Sequence, residues 1–153
     1  MFQAIEPYLR IVVAMVLGAV IGWEREKSGK SAGLRTLIIV SAASALFVVA
    51  AQESAAKHGE VVDSVRALAG IAQGVGFLGA GIILQAKREV RGLTTAASLW
   101  AAAALGFCAG LGMYLLGAFG ALAIYATLRW LKPVEYHFGD GATPREGRNL
   151  SDQ

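Results

Sequence analysis

Five apolar stretches, separated by short polar or glycine-containing breaks, dominate the hydrophobic pattern of this chain: 7–23, 34–51, 67–85, 93–111 and 113–130. At 1.5 Å per residue each approaches the roughly 30 Å of a hydrocarbon core, given slight bilayer thinning or a flanking polar turn. The pattern predicts an all-α integral membrane protein, a five-transmembrane-helix bundle over residues 1–132. Only Gly110-Leu111-Gly112 divides the last two stretches. A single span does not need roughly forty residues, so a tight helical hairpin is expected there. The first stretch has no basic leader and no small-x-small cleavage site, and a dense positive cluster follows it, so it is expected to stay in the mature protein. Residues 133–153 are polar and glycine-rich, with Asp140, Arg145, Glu146 and Arg148, and are expected to form a mostly disordered cytoplasmic tail.

The third stretch is rich in glycine. On a 3.6-residue period Gly70, Gly74 and Gly81 fall on one side and Ala72, Gly76 and Gly79 on the other, which predicts close approach by two neighbours and a place at the centre of the bundle. Gln73 is positioned to hydrogen-bond across the bundle. Gly74-Val75-Gly76-Phe77-Leu78-Gly79 matches the spacing of a dinucleotide fingerprint, but no strand precedes it and no acid follows at the required distance. Close helix packing is the expectation, and a locally unwound helix offering carbonyls to an ion is the alternative. The stretch Leu17-Gly18-Ala19-Val20-Ile21 resembles Leu78-Gly79-Ala80-Gly81-Ile82, and Gly33-Leu34-Arg35-Thr36 echoes Gly92-Leu93-Thr94-Thr95. These matches suggest two parallel helical-hairpin repeats plus a fifth helix, with the two Gly-Leu-x-Thr turns facing each other.

Composition supports the membrane reading: 56% of the 153 residues are hydrophobic and the mean hydropathy is +0.54. Lysine and arginine collect at Arg25, Lys27, Lys30 and Arg35, at Lys87, Arg88 and Arg91, and at Arg129 and Lys132. The positive-inside rule then places the N-terminus outside and the C-terminus in the cytoplasm. The net charge of +3 and pI near 9.2 come from residues flanking spans without interleaved aromatics, so they mark topology and anionic-lipid contact rather than nucleic acid. The single Cys108 excludes a disulfide framework within the chain. His58 and His137 fall in a loop and the tail, and no carboxylate lies near the middle of a span. No catalytic residue, metal site or cofactor site is expected.

Polar residues gather at the expected cytoplasmic surface. Glu24 or Glu26 is expected to clamp to Arg35 across the first loop, with Arg25, Thr36, Arg91, Thr94 and Thr95 completing a structural clamp or partner contact. Thr94 or Thr95 is expected to cap the fourth helix, and Thr94 and Ser98 share a face. Ser41 and Ser44 read as packing polar groups, and Arg10, a turn from the outer boundary, as a snorkelling side chain.

The motifs Gly22-Trp23-Glu24-Arg25-Glu26, Gly33-Leu34-Arg35-Thr36, Gly76-Phe77-Leu78-Gly79-Ala80-Gly81 and Val90 through Trp100 resemble the membrane domain of the MgtC/SapB family of bacterial inner-membrane proteins. The resemblance implies a helical inner-membrane protein linked to growth under magnesium limitation and to virulence and intramacrophage survival, acting by inhibiting the ATP synthase through its membrane sector. Some members carry Asn at the position of Thr94, and members associated with virulence carry a further soluble domain. The leading expectation is therefore a non-enzymatic membrane regulator that binds another integral membrane protein through small-residue helix faces. A small magnesium, cation or solute transporter or channel is the alternative, to be separated by whether the third helix is continuous. A homodimer is a further expectation from the unpaired packing face of a five-helix unit.

Overall fold

The computed structural model describes residues 2–83 and 92–131. It contains α1 (Phe2–Lys27), α2 (Leu34–His58), α3 (Ser64–Ile83), α4 (Leu93–Gly110) and α5 (Tyr114–Trp130), with no strand among the described residues. The helices from α1 to α4 are long and apolar enough to cross a membrane; α5 has 17 residues, about 25 Å of helix. Gln85, the loop cations Lys87, Arg88 and Arg91, Lys132, and the tail 133–153 lie outside the described residues.

Local chemistry sets the helix ends. α1 stops where Gly29 takes φ 60°: its N–H donates to the Glu26 carbonyl at 3.0 Å and the Lys30 N–H to the Arg25 carbonyl at 3.1 Å, pairing carbonyls that would otherwise be orphaned. α4 ends the same way at Gly112, φ 76°, with Gly112 donating to Ala109 and Met113 to Cys108, both at 2.9 Å. That closure is the tight hairpin expected at Gly110-Leu111-Gly112. Asp63 opens α3, its Oδ1 accepting from the N–H groups of Val65 at 3.0 Å and Arg66 at 3.1 Å, a cap whose loss typically costs about 1 kcal/mol.

α4 is the hub and packs against each of the other four helices. It is apolar all round, which is the pattern of a helix without a solvent face, and its inward residues are small: Ala102 and Ala109 are fully buried and Leu99 nearly so. α2 is held between α1 and α4 by direct backbone approach. A Cβ at Gly18 would lie 2.6 Å from the Leu37 carbonyl and one at Gly22 2.8 Å from Leu34 Cα. From the other side, a Cβ at Gly106 would collide with the Ser41 carbonyl, and one at Gly110 would lie 3.1 Å from Ala45 Cα. Both glycine pairs are spaced i, i+4, so each places two contacts on one helix face. Between them Ser41 is completely buried and donates its hydroxyl to the Ala14 carbonyl at 2.7 Å; the expected packing role of Ser41 is what the structure contains.

α3 departs from its expected central place. It leans mainly on α4, touches α2 only lightly, and buries just Val75 and Gly79. Among the described residues a Cβ at Gly70, Gly74 or Gly81 would meet nothing within 4 Å; Gly76 comes nearest to Trp100 at 3.9 Å, and Gly79 to Ala96 Cβ at 3.5 Å. Gln73 is exposed instead of reaching across the bundle. The reason is physical: small residues permit close approach but do not attract, and α3 also carries Leu68, Phe77 and Leu78, all exposed. The helix is unbroken from Ser64 to Ile83, so the Gly74–Gly81 segment does not unwind to present carbonyls.

The two Gly-Leu-x-Thr segments each open a helix, but Gly33 is extended (φ −99°) and Gly92 left-handed (φ 87°). Arg10 is more than a snorkelling charge: it pairs with Glu6 and donates Nη1–H to Gln52 Oε1 at 2.7 Å and to the Gly110 carbonyl at 3.0 Å. One guanidinium thereby ties α1, α2 and the C-terminus of α4 together at the end opposite the first loop, where a cation also complements the helix dipole.

Candidate functional site

At the first-loop end, α1 brings two charged residues, Glu24 and Arg25, into the bundle beside the first turn of α4. Arg25 continues the inward stripe of α1 that begins with Ala14 and runs through Gly18 and Ile21, at intervals of three or four residues. It is 3% exposed, and neighbouring Glu24 is 5% exposed. Arg25 Nη2 donates to Thr95 Oγ1 at 3.1 Å, linking the end of α1 to the first turn of α4. Arg25 Nη1 stands 4.0 Å from Glu24 Oε2, too far for a hydrogen bond. Ser28 donates its hydroxyl to Glu24 Oε1 at 2.6 Å. Two buried atoms, Arg25 Nε and Glu24 Oε2, have no hydrogen-bond partner among the described residues. An ion pair held this loosely in a buried place recovers little of its desolvation cost.

The expected clamp to Arg35 is not how this end is built. Arg35 and Thr36 are exposed, and among the described residues Arg35 forms no ion pair with Glu24 or Glu26. Glu26 instead accepts the Leu34 N–H at 2.9 Å, capping α2 from the preceding helix because Gly33 has no side chain to do so. A Cβ at Gly33 would collide with that carboxylate. The position after Leu34 points Arg35 away from the buried face that Leu37 and Ser41 define.

Neither threonine caps α4; Gly92 takes that position without a side-chain bond. Thr95 is buried as the acceptor of Arg25 and Thr94 is exposed. Thr94 and Ser98 do meet, Ser98 donating its hydroxyl to the Thr94 carbonyl at 2.7 Å. Arg91 lies outside the described residues. Lys27 places its ammonium 4.9 Å from the centre of the exposed Trp23 ring, a cation–π contact suited to a membrane interface.

Sequence reading therefore assembled most of this cluster but paired it wrongly, and it missed the packing glycines Gly18, Gly22, Gly106 and Gly110. Their signal was present as two i, i+4 glycine pairs. Chemically the cluster holds charge and donors but no nucleophile with a base. Among the described residues no three His, Cys, Asp or Glu side chains come together to hold a metal. A second feature lies along the bundle side: an apolar groove of about 640 Å³ between α2 and α3, lined by Val40, Phe47, Gly70, Gly74 and Leu78 among others.

Comparison with known proteins gives these features a context. Residues 11–137 match the MgtC family. SrpB of Synechococcus elongatus is 40% identical over 136 residues, covering 82% of this chain and 75% of that protein. The putative magnesium transporter YhiD of Escherichia coli is 40% identical over 118 residues, 74% of this chain and 55% of YhiD. The protein MgtC of Salmonella typhimurium is 43% identical over 110 residues, 71% of this chain and 45% of MgtC. The chain thus spans about half the length of the last two relatives. No solved structure matches. The MgtC family is a family of membrane proteins and not a known enzyme family. With the match running through all five helices, this chain belongs to the MgtC family.

Proposed function

We propose that this protein is a non-enzymatic regulator of the bacterial inner membrane that works by helix-to-helix contact, with α3 as the contacting element. The observation that carries this reading is the open face of α3, where none of the described residues stands within 4 Å of the Cβ positions of Gly70, Gly74 and Gly81. In a bilayer, where lipid tails are as apolar as leucine, helices associate through close backbone approach, and a free i, i+4 glycine pair such as Gly70 and Gly74 supplies it. On this reading α5 is a fifth span, the N-terminus is outside and the first-loop end faces the cytoplasm, in keeping with its cations. The partner implied by family resemblance is the membrane sector of the ATP synthase, and the physiological setting is magnesium limitation and intramacrophage survival. The name carried by YhiD points to magnesium transport, but the unbroken α3 leaves that alternative without the broken helix it called for.

ATP-driven proton pumping in inverted membrane vesicles tests the proposal. Wild-type protein should depress pumping, and Gly74→Leu at equal abundance should relieve the depression by filling the open face. Unchanged pumping with the wild type removes the ATP synthase as partner. Equal depression by both proteins removes α3 as the contact. A second copy of the chain on the same face would appear as a crosslinked dimer lost in Gly74→Leu.

A further inference from the structure

Among the described residues Arg25, a charged group held inside a membrane bundle, has one neutral hydrogen bond, a distant carboxylate and an unpartnered Nε. A guanidinium carries five donors, and when buried it is stable only if most of them are used. The surroundings indicate what is missing. Arg25 borders two adjoining cavities, of about 230 Å³ and about 160 Å³, that also share Lys30 and Thr94. The larger is bounded by the α1–α2 loop through Ser31 and by Gly92 and Thr95 at the start of α4.

The described residues that line the larger cavity include two cations and three hydroxyls and no carboxylate. The Gly92 carbonyl is taken by the Ala96 N–H at 2.8 Å, and among the described residues the N–H groups of Leu93, Thr94 and Thr95 have no acceptor within α4. Together with the macrodipole of an 18-residue helix, they form the positive end that binds oxyanions in many folds. The hydroxyls of Ser31, Thr94 and Thr95 are further donors. Neither nearby carboxylate lines this cavity: Glu26 accepts the Leu34 N–H, and Glu24 borders only the smaller cavity, with Oε1 held by Ser28 and Oε2, unpaired among the described residues, 4.0 Å from Arg25. The cavity is several times the roughly 30 Å³ share of a water molecule, so a tetrahedral oxyanion fits with water.

We propose that the cavity between the α1–α2 loop and the first turn of α4 is an oxyanion site for a phosphate group. The buried Arg25 forms its floor, the exposed Lys30 its mouth, and the start of α4 supplies neutral donors. The phosphate comes either from an anionic lipid headgroup or from free phosphate; the chemistry of recognition is the same. The site is independent of any partner reading, because it is measured on the isolated protein.

The full chain in phosphatidylcholine nanodiscs is titrated with inorganic phosphate by calorimetry, and the number of lipids retained is counted by native mass spectrometry with and without added phosphatidylglycerol. Heat with phosphate identifies the free anion. A phosphatidylglycerol molecule retained without such heat identifies the lipid. Whichever probe binds, Arg25→Gln should weaken it by at least about tenfold, Lys30→Ala by up to about fivefold, and Lys57→Ala, at the other end of α2, not at all. If Arg25→Gln does not fold, exposed Lys30→Ala decides alone. Absence of binding by both probes, or binding indifferent to the Arg25 and Lys30 substitutions, overturns the site.

Discussion

α3 and α4 are both built largely from small apolar residues, and yet one lies at the rim of the bundle and the other at its hub. In α4, Gly106 and Gly110 meet the backbone of α2 directly, and any added carbon there runs into Ser41 or Ala45. In α3, the equally spaced Gly70 and Gly74 meet none of the described residues. The i, i+4 glycine pair marks a face capable of close approach without saying whether the approaching helix belongs to the same chain. The neighbours of the pair decide that. α4 is small or buried on most sides, whereas α3 carries bulky Phe77 and Leu78 outward.

Arg25→Met should have the largest effect on this contrast. It removes the link from α1 to the start of α4 and strands the Glu24 carboxylate, at a cost of about 3–5 kcal/mol. Reversible unfolding in detergent measures the loss, and adding Glu24→Gln should recover part of it. Gly106→Ala comes next: the new methyl must displace the backbone of α2, for about 1–3 kcal/mol. If Gly106→Ala unfolds at the wild-type midpoint, the hub is not packed as described. Ser41→Ala removes the hydroxyl bond to Ala14 between α1 and α2 and should cost about 1 kcal/mol. Gly74→Ala should be the mildest, neutral or stabilising by up to about 1 kcal/mol through helix propensity alone. A marked destabilisation by Gly74→Ala in the isolated protein would erase the distinction between the two helices.

The helices themselves were legible because hydropathy and length report directly on lipid burial: the observed α4 and α5 fall within a residue of the apolar stretches that predict them. The arrangement was less legible. Hydropathy cannot rank helices by coverage when lipid and protein interior are equally apolar, and the small residues on two faces of α3, from which a central place is expected, permit close approach without requiring it. The charged cluster shows the same division. Glu24, Arg25 and Thr95 come together while Glu26 turns to the Leu34 N–H, but the sequence distance between the glutamates and Arg35 carried no information on facing. Helical phase did, since Arg25 lies in register with Gly18 and Ile21 while Arg35 follows Leu34 onto the outer side. Glu26 as a cap for the following helix depended on the loop geometry around Gly33, which no periodicity encodes.

The hub's position in the chain also has a consequence for biosynthesis. α1 and α2 leave the ribosome first and can pair through Gly18, Gly22 and Ser41, but the face of α2 that receives Gly106 stays vacant until α4 is made. At roughly 5–20 residues per second that interval lasts several seconds. α3 enters the membrane during it, before the helix it mainly leans on exists. For that period the nascent chain presents a groove shaped for a small-residue helix and a small-residue helix in search of a groove, so insertion factors that keep α3 from occupying the place of α4 would act in this window.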